Sequence, residues 1–120
     1  STEYVRSTLS LIEDDLIDTI VDTIIANNYE KMLQILDTLR TRHAEVRGLF
    51  DQIMYRLRDR MLESFAARTT TSFAQYSDIF SIFELAYKQI RSIPDSWLLI
   101  EITLMRAVVG GEMKDTDKKV

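Results

Sequence analysis

Residues 97–109 are apolar on nearly every side of a helix, interrupted only by Glu101, Thr103 and Arg106. A surface helix of a small domain keeps a broad polar face toward water. A helix without one must be enclosed, and two neighbours are expected to enclose this one: the core of its own domain and an adjoining subunit. Trp97, Ile100 and Leu104 share one helical face and are the candidates for the intersubunit contact. Leu98, Ile102, Met105 and Val109 form the alternative face, outward if the first set is the core.

The rest of the chain obeys the same helical period. Three glycines and one proline in 120 residues leave few breaks, so the spacing predicts helices joined by short turns. Six are expected. A short lead-in helix ends near Leu9. The second starts near Glu13 and carries the doublets Leu16-Ile17, Ile20-Val21 and Ile24-Ile25, a wide apolar stripe closed by Asn27-Asn28. The third runs to about Arg42 with Met32, Leu33, Ile35, Leu36 and Leu39 as its core. The fourth and longest, over about 45–67, has Leu49, Phe50, Ile53, Met54, Leu57, Met61, Leu62 and Phe65 at spacings of three and four. Residues 68–72, rich in threonine, read as a mobile loop, because hydroxyl and β-branched residues are poor helix formers. The fifth helix carries Phe73 or Tyr76, then Ile79, Phe80, Phe83, Ala86, Tyr87 and Ile90. Pro94 stops it and Asp95 caps the sixth, which Gly110-Gly111 closes. Residues 1–111 thus form one all-α domain, an antiparallel bundle of five to six helices, and residues 112–120 a flexible charged tail.

Composition narrows the function classes. The longest apolar runs, 97–100 and 107–109, fall far short of the roughly 20 residues a bilayer crossing needs. A net charge of −4 offers no general attraction for phosphate backbones. Cysteine is absent, which removes disulfides and thiolate sites and fits a reducing compartment. No cationic segment leading into an apolar run opens the chain, so no signal peptide is expected, and the cytoplasm is the expected location.

The residues for catalysis are also sparse. His43 is the single histidine and falls in a polar turn, without a second histidine or cysteine to share a metal. Glu13, Asp14 and Asp15 have the right chemistry for a cation but sit where carboxylates favour a helix dipole anyway. Gly110-Gly111 follows a helix rather than a strand, so it is not a phosphate cradle. The mixed cluster Arg56, Arg58, Asp59, Arg60 and Glu63 reads as a solvated face with local ion pairs. Arg58, at the edge of the apolar stripe, is a candidate for a structural ion pair, as are Glu101 and Arg106 within the last helix. No enzyme activity, metal or cofactor is expected.

The order of these features resembles the third, "collar" domain of the bacterial DNA polymerase III clamp-loader subunits gamma and tau. The resemblance lies in residues 4–15 as a lead-in, Asp15-Leu-Ile-Asp-Thr-Ile20, the step Asn27-Asn-Tyr-Glu30, Leu57-Arg-Asp-Arg-Met-Leu62, and above all Ile93-Pro-Asp-Ser-Trp-Leu-Leu-Ile-Glu-Ile-Thr-Leu-Met-Arg106. Pro94, Asp95, Glu101 and Arg106 fall in register with the family pattern. Ser10 and Asn27 stand where glycine is common there, and Trp97 is bulkier than usual. The resemblance implies an oligomerisation domain in DNA replication that holds ATPase subunits in the ring that loads the sliding clamp. Its partners would be other clamp-loader subunits or, in isolation, copies of itself, with no direct nucleic-acid or membrane contact. The rival from another class is a small helical enzyme of the chorismate-mutase kind. It would need several Arg or Lys groups projecting into the bundle to clamp a dicarboxylate, and the second helix has none. A third reading is a stand-alone helical adaptor that binds a partner's amphipathic helix.

Overall fold

The computed structural model describes the backbone of residues 11–119 and the side chains of residues 11–110. The expected lead-in helix lies outside them. Among the described residues the chain is all-helical: α1 (Asp14–Ile25), α2 (Tyr29–Thr41), α3 (Val46–Ala66), α4 (Thr70–Lys88) and α5 (Ser96–Lys119).

Isoleucine-rich α1 is helical despite modest intrinsic propensity because its stripe of Ile17, Ile20, Val21 and Ile24 is buried, and packing outweighs propensity. Asp14 and Asp15 occupy its first turn, where the helix dipole favours negative charge. Asn28 caps α2 by accepting from the Lys31 amide at 3.0 Å. Glu45 caps α3, accepting from the amides of Arg47 at 3.2 Å and Gly48 at 2.5 Å. Asp95 caps α5 by accepting from the Trp97 amide at 3.0 Å.

The first three helices end alike. Asn27, His43 and Arg68 each adopt a left-handed conformation, with φ of 53°, 53° and 56°. In each case the next amide reaches back into the last turn: Asn28 to the Thr23 carbonyl at 3.2 Å, Ala44 to Leu39 at 3.2 Å, and Thr69 to Ser64 at 2.9 Å. This is the Schellman closure that glycine usually serves, here built without glycine. Asn27 therefore supplies at the end of α1 the backbone conformation that a glycine commonly would.

Two expected boundaries move. Thr70, Thr71 and Ser72 form the first turn of α4 rather than a loop, since hydroxyl residues are tolerated at a helix start. And α5 passes through Gly110-Gly111 to Lys119, so residues 112–119 are helical, where a flexible tail was expected. A glycine costs a helix only about 1 kcal/mol relative to alanine, and no proline follows to stop it.

Gln52 fixes the register of α1 against α3. It donates to the Ile12 carbonyl at 2.6 Å and accepts from the Ile12 amide at 3.1 Å. From there α1 and α3 run in parallel, with Asp18 and Asp22 abreast of Arg56 and Arg60. α4 returns antiparallel along α3, placing the Phe50 ring edge-on to Phe83 at 6.0 Å and to Tyr87 at 5.8 Å, a favoured aromatic geometry. α5 touches each of the other four helices. Its Ile100 and Leu104 are completely buried beside Ile20, Val21, Leu39, Phe50, Ile53, Leu57 and Phe83.

Several core assignments are corrected. Leu33, Leu62 and Phe65 are exposed at 64%, 50% and 72%, because they fall off the buried stripes Met32, Ile35, Leu36 and Leu39 of α2 and Leu49, Phe50, Ile53 and Leu57 of α3.

Candidate interaction surfaces

The last helix resolves into two faces. Ile100 and Leu104, expected at a subunit contact, are wholly enclosed by the domain itself, and Trp97 is half-buried. The reason is the position of α5 among all four other helices, which absorbs the face expected to need an outside neighbour. The face left toward solvent is Leu98, 49% exposed, and Met105, 41% exposed, with half-buried Ile102 and Val109 between and beyond them. These positions recur at four, three and four residues, so they form one stripe along the helix.

Beside the stripe lies a small polar network. The Trp97 indole N–H donates to Glu101 Oε2 at 2.8 Å, and the Arg40 guanidinium donates to the same oxygen at 2.9 Å. The guanidinium carbon of Arg40 also stands 5.7 Å from the Trp97 ring centroid, within cation–π range. This joins α2 to α5. Glu101 thus has an ion-pair partner, but Arg40's side chain is 65% exposed, so the pair belongs with surface bridges of about 1 kcal/mol or less, not with deeply buried ones. The other two ion-pair candidates fare differently. Among the described residues Arg58 pairs only with its neighbour Asp59, at 3.4 Å and with both side chains well exposed. Arg106 is exposed and makes no ion pair among the described residues.

The strongest charge network was missed by reading Arg56 and Arg60 as part of a solvated face. They reach across to α1. Arg56 bonds Asp18 and stands 3.7 Å from Asp14, while Arg60 bonds Asp18 at 3.1 Å, Asp22 at 3.0 Å and the Tyr76 hydroxyl oxygen at 3.1 Å. The hydrogen bond from Arg56, reinforced by Arg60, holds the Asp18 carboxyl below its usual range against the partial burial that would raise it. Burial works against the Arg60 charge, but its bonds to Tyr76, Asp18 and Asp22 prevail and hold it above the ordinary arginine value. The signal was present in the sequence. Asp14, Asp18 and Asp22 recur every fourth residue, as do Arg56 and Arg60, so each set is a ridge on one helix face.

Outside the core, α3 and α4 enclose a groove of about 380 Å³ lined by Met54, Tyr55, Met61, Phe80 and Tyr87, with Asp51 and Arg58 at its edges. Tyr55 is 68% exposed. The groove's Met54, Phe80 and Tyr87 are half-buried and pack against the core. Methionine and aromatic side chains suit such a surface because they repack around an incoming apolar group.

His43 is an exposed turn residue. The Glu13 carboxylate is paired with Arg42, and Asp14 lies near Arg56. No group of three or more histidine or carboxylate side chains is placed to hold a metal among the described residues, and none of the described helices is long and apolar enough to cross a membrane. The fold and its surfaces define an all-α bundle with two separate apolar surfaces, the α5 stripe and the α3–α4 groove. No family model matches the chain, and no curated protein matches it in sequence.

Proposed function

We propose that this chain is an oligomerisation domain of the collar kind found in bacterial DNA polymerase III clamp loaders, and that it assembles through the outward stripe of α5. The stripe carries the reading. Leu98, Ile102, Met105 and Val109 remain toward solvent on a helix that has already packed against every other helix of its bundle, and a contiguous apolar surface of that kind marks an interaction site. The order of sequence features along the chain supports the same reading, as does the all-α architecture. In this role the domain does no chemistry of its own: it holds ATPase-bearing subunits in a ring.

Sedimentation of wild type and of Met105→Glu tests the assembly step. Met105 is 41% exposed, so the charge is tolerated in a monomer and opposed at an apolar contact. A lower sedimentation mass with unchanged helical circular dichroism is expected. Equal masses would overturn the proposal.

The α3–α4 groove favours a second reading, an adaptor that receives a helix from an unrelated partner. The two readings differ in whether the purified chain associates with itself.

A further inference from the structure

The two apolar surfaces match each other. The stripe from Leu98 to Val109 is about 16 Å long and the groove from Asp51 to Met61 about 15 Å, at about 1.5 Å per helical residue. One surface is convex and the other concave. Each also has an unused charge at its edge: Arg106 beside the stripe and Asp51 beside the groove have no bonded partner among the described residues.

The geometry points to a head-to-tail contact in which the α5 stripe of one copy seats in the α3–α4 groove of a second copy. This rests on the assembly proposal above and adds the acceptor surface to it. Set antiparallel to α3, the incoming helix brings Arg106 to Asp51 of the second copy. This setting lays Met105, Ile102 and Leu98 in turn along the groove from its Asp51 end toward Met61, since both helices rise about 1.5 Å per residue. Glu101, on the opposite flank of the stripe from Arg106, stays with Trp97 and Arg40 of its own copy. The parallel setting with Arg106 at Asp51 would carry Leu98 and Ile102 past the Asp51 end of the groove and leave them uncovered. Leu98, Ile102 and Met105 then meet Met54, Tyr55 and Phe80 as a third helix laid over two, the helix-in-groove mode with anchors at three- and four-residue spacing.

The stripe and groove occupy different faces of the domain, so the contact is heterologous. Each copy that gives its stripe keeps a free groove, and association continues until a ring closes or a filament grows.

The test uses the full chain and two variants at exposed positions, Met105→Glu in the stripe and Tyr55→Glu in the groove, measured alone and mixed by sedimentation equilibrium. Each variant alone is expected to be monomeric. Their equimolar mixture is expected to form a one-to-one heterodimer and nothing larger, because only one intact stripe and one intact groove remain per pair. Arg106→Asp and Asp51→Arg are each expected to weaken wild-type association roughly tenfold, and their combination to restore it. This charge-swap series also keeps the test open should Tyr55→Glu unfold. If Met105→Glu lowers the mass while Tyr55→Glu assembles as wild type, or if the mixture stays monomeric, the groove is not the acceptor and the assembly proposal stands alone. A wild-type chain that is monomeric at every concentration, or whose mass neither variant alters, overturns both.

Discussion

The side-chain amide of Asn27 donates to the backbone carbonyl of Val108 at 2.6 Å, tying the end of α1 to α5 across 81 positions of sequence. Asn27 therefore has two tasks. Its backbone turns left-handed to close α1, at φ 53°, and its side chain holds the helix that most of the core packs around. Asparagine tolerates that conformation better than most non-glycine residues.

Asn27→Ala is expected to destabilise by about 2 kcal/mol, from left-handed strain and one lost hydrogen bond together. Asn27→Gly loses the bond but relieves the strain, so it should cost clearly less. Urea midpoints of the two variants compared with wild type decide this. Equal midpoints for alanine and glycine would show that the conformation is no constraint.

His43 and Arg68 share the left-handed backbone but make no comparable tie. Replacing either by glycine should stabilise the domain by about 1 kcal/mol, because a non-glycine residue carries a strain of roughly that size there. Thermal melts of the single and double variants check it, with near-additive gains expected because the two turns close different helices.

The Asp18 ladder makes stability depend on acid. The folded-state pKa of Asp18 lies below its ordinary value of 3.8, so the contribution is complete above that value and is lost as pH falls through the lower folded one. Wild type should therefore exceed Asp18→Asn in stability at neutral pH, and the difference should shrink as pH falls through and below the ordinary carboxylate range. A difference independent of pH in urea titrations would mean that the carboxylate charge contributes nothing.

Glu101→Gln keeps an acceptor for Trp97 and loses the charge that Arg40 meets. The expected cost is about 0.5–1 kcal/mol, as for an ion pair with one exposed partner. Glu101→Ala removes both bonds and should cost about 2 kcal/mol. A cost of 3 kcal/mol or more for the glutamine variant, roughly the value for breaking a buried pair, would show Glu101 to be far more enclosed than its 24% side-chain exposure.

The helical class, the position of most helices and the cap at Asp95 were legible because they depend on local chemistry: apolar residues every three or four positions, a proline stop, a short polar residue before a helix. The sequence also showed that the last helix must be enclosed. It did not show by what. When apolar residues span more than one face, periodicity cannot rank the faces, and only the packing of four other helices around α5 put Ile100 and Leu104 inside and left Leu98 and Met105 outside. The same limit hid the partners of Arg56 and Arg60, since a long side chain's reach between helices depends on the register of α1 against α3. Gln52 and Ile12 set that register across 40 positions of chain, a non-local contact that no window of sequence contains.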